Sequence, residues 1–367
     1  MALETHPAPR PRRRPRSTDD GRRALTAGHA LVIAVVALAV GCLLNAPGLH
    51  KSAYNQPAGW KRDTALAVTG PLADVSHALF LDRPRKLLQS ALGRRDEDRI
   101  DTTITFSPAP VVTPAPGVAK PAQAPAEKPR PAPRRAAYSP ARPLRIWVAG
   151  DSLVITPGWA IIRAAGRARA IRAVGSGPDG RVATGLERPD VFNWFTHIRT
   201  QIRKLRPKAV VLDFGGNDDH GYMTGLPKGV TIGDFGSASW TAEYRRRVAG
   251  LMDTIGRAGV FVVWIGLPIT RDAAQTQRFD TINAIVSTEA RKRPQRVAFI
   301  DTYGTFAGDN GGFAQYVTDD KGDQILVRAP DGVHFERAGG DIIARMVLHA
   351  LNQQFDLTSW KRRSATP

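Results

Sequence analysis

Apolar residues are distributed along this chain in three different ways. Residues 24–44 form one continuous apolar run, ALTAGHALVIAVVALAVGCLL. Its strongest part, from Ala30 to Leu44, reaches the ~20 residues needed to span a bilayer once Ala24–Gly28 are added. Residues 104–143 hold almost no apolar periodicity and are dominated by Pro and Ala, so they read as an extended linker that cannot pack a core. From Leu144 onward, short apolar runs alternate with longer segments of helical period.

The apolar runs predict strands over Leu144–Ala149, Ala168–Val174, Ala209–Phe214, Val260–Ile265 and Val297–Ile300. Between them lie predicted helices over Pro157–Ala165, Phe192–Leu205, a segment capped by Ser239 and running to Gly259, Phe279–Arg291 and Phe335–Leu351. Strands apolar on both faces and separated by helices imply a mostly parallel five-stranded sheet covered on both sides, an α/β chain. Phe313–Val317 and Gln324–Arg328 flank Asp319-Asp320-Lys321-Gly322 and predict a hairpin. Upstream, Leu72–Leu92 carries a helical pattern interrupted at Arg83-Pro84.

The boundaries follow: a basic tail over 1–23, a membrane helix or signal anchor over 24–44, a juxtamembrane segment over 45–103, a linker over 104–143, a catalytic-type domain over 144–355 and a basic tail over 356–367. The juxtamembrane segment reads as a spacer or small cap. The linker is expected to hold the domain away from the membrane.

Charge changes this picture at the ends. The 367 residues carry a formal net charge of +19. The cations collect at Arg10–Arg23, Lys128–Arg145 and Lys361-Arg362-Arg363, not across the folded domain, which argues against a nucleic-acid partner. They suit an anionic membrane or an acidic wall polymer instead. Arg22 and Arg23 before the apolar run place the N-terminus in the cytoplasm and residues 45–367 outside, in the periplasm or beyond. A cleaved signal peptide is the rival reading, though no clean Ala-x-Ala site follows. Cys42, the sole cysteine, follows Ala39-Val40-Gly41 in loose likeness to a lipoprotein signal; otherwise it is a small residue within a membrane helix.

The chemistry sits where predicted strands end, the usual place for a site in an open α/β sheet. Gly150-Asp151-Ser152-Leu153 follows the first strand and Gly215-Gly216-Asn217-Asp218 the third; Pro330-Asp331-Gly332-Val333-His334 precedes the last helix. A serine needs a base to act as a nucleophile at neutral pH. His334 is the candidate base, with Asp331 to orient it, and an acyl-enzyme would follow. The oxyanion calls for donors: the Ser152 N–H, the Asn217 amide and a glycine N–H from the loop holding Gly175, Gly177, Gly180 and Gly185. Asp151 is expected to fix the turn at Ser152, and Asp218 to brace its own loop. Trp194 and Trp264 either line a sugar cleft or pack in the core. The Asp213, Asp218, Asp219 and His220 grouping has no metal-ligand spacing, and no Gly-x-Gly-x-x-Gly follows a strand, so neither a metal nor another cofactor is expected.

Together these blocks resemble the SGNH, or GDSL, hydrolase superfamily across about residues 144–355. The resemblance implies a three-layer α/β/α flavodoxin-like fold, a Ser152 nucleophile, an Asp331/His334 pair, an Asn217 oxyanion donor and a second-block glycine donor. Within it the chain is most similar to a bacterial envelope-associated subfamily of unknown function (DUF459-like). The matching stretches are Thr184-Gly185-Leu186-x-x-Pro189-Asp190-x-Phe192-x-Trp194, Val263-Trp264-x-Gly266-Leu267-Pro268 and Arg328-Ala329-x-Asp331-Gly332-x-His334-Phe335. That alignment favours Gly185 as the donor over Gly175. The chain departs from the pattern with Asn193 where Asp is common, and with a longer loop between Val174 and Gly185. Such enzymes act on lipids, small esters and O-acetylated sugars. With an external placement, the expected substrate is an O-acylated, above all O-acetylated, polysaccharide or peptidoglycan. The alternatives are an O-acyltransferase working beside a membrane acyltransferase partner, and a non-catalytic wall-binding protein.

Overall fold

The structure, a computed structural model, describes residues 26–56, 59–92, 97–106, 135–219, 221–319 and 321–363. The basic tail over 1–23, most of the Pro/Ala linker, His220 and the last four residues lie outside them. In chain order the elements are α1 (Ala27–Leu44), α2 (Ala46–Tyr54), α3 (Trp60–Ala78), α4 (Arg83–Ala91), β1 (Leu144–Gly150), α5 (Ile155–Ala168), β2 (Ile171–Ala173), β3 (Asp179–Gly180), α6 (Trp194–Leu205), β4 (Ala209–Asp213), α7 (Ala238–Arg257), β5 (Phe261–Ile265), α8 (Ala273–Arg291), β6 (Val297–Ile300), β7 (Tyr316–Thr318), β8 (Gln324–Leu326), α9 (Arg337–Gln354) and α10 (Ser359–Arg363).

The main sheet has the order β2-β1-β4-β5-β6, all parallel, with β3 as a sixth short strand beside β1. This is the flavodoxin-like order. Its crossovers run one way from β1 to β2 and the other way thereafter. Right-handed connections therefore put α5 on one face and α6, α7 and α8 on the other. After β6 the chain returns, and α9 packs along α5. Strand residues Val210, Val211, Leu212, Val262 and Val263 are fully buried, as a doubly covered sheet requires. β7 and β8 form the expected hairpin outside the main sheet.

Several element ends differ from the pattern-based expectation for local reasons. α7 is capped by Ser237, whose Oγ accepts the Trp240 N–H at 3.3 Å; Ser239 instead accepts the Gly233 N–H at 2.9 Å. α8 starts at Ala273, because Asp272 accepts the N–H groups of Ala274 and Gln275; its first turn is mostly exposed and shows no apolar period. Pro84 does not interrupt a helix but lies in the first turn of α4, where its missing N–H is harmless. The break before it ends α3 in a Schellman turn, with Leu81 N–H to Ser76 O at 2.9 Å and Phe80 N–H to His77 O at 3.1 Å. Phe80 has φ +59° at the position glycine usually holds, a conformation that costs a side-chain-bearing residue roughly 1–2 kcal/mol.

The largest departure concerns the juxtamembrane segment and the linker. The segment is folded and docked on the domain, which agrees with the cap alternative rather than the spacer one. Lys51 on α2 is buried and donates to the carbonyls of Asp190 and Arg99; burial draws its pKa down to about 8 against the pull of Asp190. Residues 97–106 then run along α6 and α7. Asn193 donates to the carbonyls of Asp101 and Thr103 at 3.0 and 2.9 Å, and Arg199 to that of Thr105 at 3.1 Å. Phe106 meets Phe195 edge-on at 5.7 Å and fills the space over Gly250, where a Cβ would come within 2.4 Å of its ring. At the far end of the linker, Tyr138 N–H bonds Asp356 O, its ring packs on Phe355, and Arg169 stacks over Trp360 at 5.6 Å. Thus 97–106 and 135–143 both lie on the domain, and the linker does not set the domain's distance from α1.

Candidate active site

Ser152 opens a 3₁₀ turn directly after β1. The turn is built on a buried carboxylate. Asp151 accepts N–H bonds from Leu153 at 2.8 Å, Gly215 at 3.0 Å and Gly216 at 2.9 Å. It thereby ties the loop after β1 to the loop after β4. Close packing adds to this: a Cβ on Gly150 would lie 2.1 Å from the Asp213 carbonyl.

The candidate base, His334, comes from the segment before α9. Asp331 Oδ1 accepts the N–H groups of Val333 at 2.8 Å and His334 at 2.9 Å, while Oδ2 lies 2.7 Å from His334 Nδ1. Burial pushes Asp331 upward, but these N–H groups and the His334 ring outweigh it and bring its pKa down to about 2. An ionised carboxylate only accepts, so His334 carries its proton on Nδ1. That leaves the lone pair of Nε2 facing Ser152 Oγ, 2.8 Å away. Ser152, His334 and Asp331 are therefore one hydrogen-bonded chain, although 182 residues separate the serine from the histidine.

Arg328 holds this segment from below. It is fully buried and donates to the carbonyls of Ile269 at 2.6 Å and Val333 at 2.5 Å, with a longer contact to His334 O at 3.3 Å. Its ring neighbours are Phe335 at 4.8 Å and Phe313 at 5.4 Å. Burial draws its pKa down to about 10, opposed by Asp331. Gly332 has φ +77°, and a Cβ there would come within 2.5 Å of Arg271, which itself donates to Pro330 O. The sequence pattern contains Arg328, but nothing in its spacing reveals that a buried cation carries the carbonyls of Ile269, Gly332, Val333 and His334.

The oxyanion candidates also converge. The Asn217 amide donates to Thr184 O at 3.0 Å and retains a second N–H. Thr184 precedes Gly185, whose N–H has no acceptor among the described residues. Asp218 accepts the N–H groups of Leu186 and Glu187, each at 2.8 Å, and the Tyr244 hydroxyl at 2.9 Å, so it locks the Gly185 loop against the Asn217 loop. A Cβ on Gly185 would lie 2.0 Å from Asp218 Oδ1. Gly175, by contrast, packs near Trp147 and Leu205, next to the end of β2, which stops level with Ile146. The longer loop after Val174 is used to form β3, which pairs with Ala149 and Gly150 and returns the chain to the serine.

Trp194 and Trp264 line no cleft. Both are buried, and Trp194 Nε1 donates to Thr184 Oγ1 at 3.0 Å. Asn193 earns its amide: its carbonyl caps α6 through Thr196 N–H, while its NH₂ holds residues 101 and 103. An aspartate could cap but could not donate. Asp213 at the end of β4, which the sequence offered only as a member of a carboxylate grouping, has a setting of its own. It is buried, and neither carboxylate oxygen has a partner among the described residues. Burial, then the charge of Asp151, pushes it well above the usual carboxylate range. Asp151 has three N–H donors, so the proton of this pair belongs on Asp213. Among the described residues no three His, Cys, Asp or Glu side chains form a metal-binding group.

Among solved structures, a GDSL-like lipase from Bacteroides thetaiotaomicron is 17% identical, with 57% of this chain and 88% of that one covered and a TM-score of 0.39. An alpha/beta hydrolase from the metagenome of Lake Arreo, Spain, is 18% identical over 59% and 95%, with a TM-score of 0.40. The acetylxylan esterase Axe2 from Geobacillus stearothermophilus is 15% identical over 56% and 92%, with a TM-score of 0.37. No curated protein matches the chain. The family described as "Protein of unknown function (DUF459)" matches residues 145–350, the stretch that holds the whole sheet, both glycine-bearing loops and the His334 segment. The chain belongs to that DUF459 family, and the matched stretch folds as a parallel sheet of flavodoxin-like order.

Proposed function

We propose that this protein is a membrane-anchored serine esterase facing the outside of the cytoplasmic membrane, which removes O-acyl groups, above all acetyl, from a cell-envelope glycan. The observation that carries the reading is the chain Asp331–His334–Ser152, with contacts of 2.7 and 2.8 Å, at the carboxyl end of a parallel sheet.

In this reading Ser152 Oγ attacks the ester carbonyl carbon while His334 Nε2 takes its proton. The carbonyl oxygen becomes an oxyanion, met by the N–H groups of Ser152 and Gly185 and the free N–H of Asn217. The intermediate collapses as His334 returns the proton to the departing sugar oxygen. Water then repeats the sequence on the acyl-serine. An O-acyltransferase would admit a sugar hydroxyl in place of that water. The His334 and Asp331 side chains are 40% and 50% exposed, so water can reach the base, which favours hydrolysis over transfer. The glycan assignment is supported by placement: α1 is long and apolar enough to cross a membrane, with arginines preceding it.

The test is hydrolysis of p-nitrophenyl acetate by the full chain, with Ser152→Ala beside it. The serine variant is expected to lose activity by up to about 10⁶-fold, the loss typical of a removed nucleophile. An equal rate in both proteins would sink the serine mechanism. A wild type inactive on this ester and on O-acetylated glycans would sink the esterase reading.

A further inference from the structure

α3 and α4 have only one covered side each. On α3 the side bearing Leu66, Thr69 and Ser76 faces α2, where Thr69 Oγ1 lies 3.2 Å from His50 Nδ1. The other side displays Trp60, Val68, Val75 and Leu79, which are 73, 65, 48 and 61% exposed. At the corner Phe80 is 58% exposed, and on α4 Leu87, Leu88 and Leu92 follow at 71, 62 and 61%. Scattered exposed apolar residues need no explanation, but a contiguous run over two helices does.

We propose that this surface, from Trp60 across Phe80 to Leu92, lies in the interfacial layer of a lipid bilayer. Four observations select lipid as its occupant. First, α1 has no buried residue, α2 follows it after the single residue Asn45, and α3 packs against both. Whatever surrounds α1 therefore continues onto α3. Second, the surface has an interfacial composition: a tryptophan at one end, and Arg83 and Lys86 beside the α4 leucines. The opposite side of α4 is polar and faces inward, where Arg85 and Gln89 both bond Asp98. Third, the two helices meet at 87°, and α4 has nine residues, so the pair does not form a straight crossing but can lie along a surface. Fourth, Phe80 occupies a left-handed backbone position suited to glycine, yet its ring is displayed outward under the Arg83 guanidinium, 4.1 Å away. The fold itself gains little from a phenyl group there; a bilayer would.

The inference rests on α1 crossing the membrane, and not on the esterase chemistry. It gives the docked segment a purpose. Lys51, Asn193 and Phe106 join these helices to the domain, so the active site would ride at a fixed height above the lipid.

The experiment uses the full chain in proteoliposomes of phosphatidylcholine and phosphatidylglycerol. Cys42→Ser removes the only native thiol, and single cysteines at Leu79, Phe80 or Leu88 carry an environment-sensitive fluorophore. Quenching is read with a nitroxide-labelled phospholipid and with aqueous iodide. Val36→Cys on α1 reports the anchor, and Arg345→Cys on α9, across the sheet from α6 and α7, reports solvent. Labels at 79, 80 and 88 are expected to lose most of their emission to the nitroxide and little to iodide, as at 36 and unlike at 345. Strong iodide quenching at 79, 80 and 88 with lipid quenching at 36 would overturn the proposal while leaving the anchor intact. Protection from both quenchers would indicate a second copy of the chain on this face and overturn it equally. Absence of lipid quenching at 36 would remove the anchor and the proposal together. Ester hydrolysis by the same samples is scored separately, so loss of the esterase reading leaves these outcomes unchanged.

Discussion

The candidate nucleophile and the candidate base are held by opposite means. Ser152 sits on a buried lattice in which carboxylates take backbone N–H groups: Asp151 joins the β1 and β4 loops, and Asp218 joins the β4 loop to Gly185. His334 sits on a half-exposed segment whose carbonyls are gathered by a buried cation, Arg328. The anionic half fixes N–H directions, which is what an oxyanion site needs. The cationic half fixes carbonyls and leaves the imidazole its orientation and its access to water. Position and proton chemistry are thus separated in the proposed reaction: the buried ions position, and the exposed pair is the one assigned the proton.

Removing the cation should break the comparison most severely. Arg328→Met leaves the carbonyls of Ile269 and Val333 without a donor in a buried place, and a loss in unfolding free energy of about 1–3 kcal/mol for each is expected. Urea denaturation would show it. An unchanged midpoint would mean that water or a neighbouring donor replaces the guanidinium. Asp331→Asn is next. A buried triad aspartate is worth about 10⁴-fold in turnover, but Asp331 is half exposed, so roughly 10²–10³-fold is expected, in kcat more than KM. Because its pKa is near 2, the wild-type carboxylate stays ionised, and its stabilising contribution is complete above the ordinary value near 3.9 and lost as pH falls through about 2.

On the anionic side, Gly185→Ala drives a methyl into Asp218, which three donors hold in place. A cost of about 1–3 kcal/mol is expected, together with lower turnover as the Gly185 N–H shifts. Retained turnover would mean that Gly185 does not contact the oxyanion. The smallest change is expected from Asp213→Asn, and it is a gain at neutral and higher pH. Asp213 binds its proton more tightly folded than unfolded, so wild-type stability is greatest below about 3.9 and declines as pH rises toward the raised folded value. The asparagine variant should lack that decline, which thermal melts at several pH values would reveal.

The two halves were not equally legible. Asp151, Ser152, Asn217, Asp331 and His334 stand out because strands end just before them or because short spacing joins them. Their mutual contacts were also implied by strand-end placement. The supporting ions were harder to see. Arg328 and Asp213 are buried, and burial of a charge leaves no period in the sequence. The docking of residues 97–106 uses the Asn193 amide, the Arg199 guanidinium, the Phe195 ring and the absent side chain of Gly250, none of which forms a pattern with its target.

What the sequence determined alone is the parallel α/β sheet, the apolar α1 and the candidate triad. Strand runs, helical stripes and strand-end motifs are local signals, each readable within a dozen residues or so. Tertiary structure alone decided that both tryptophans belong to the core and that the juxtamembrane helices grip the domain. Those outcomes depend on which distant surfaces meet, and the energy of such a contact belongs to the pair, not to either segment.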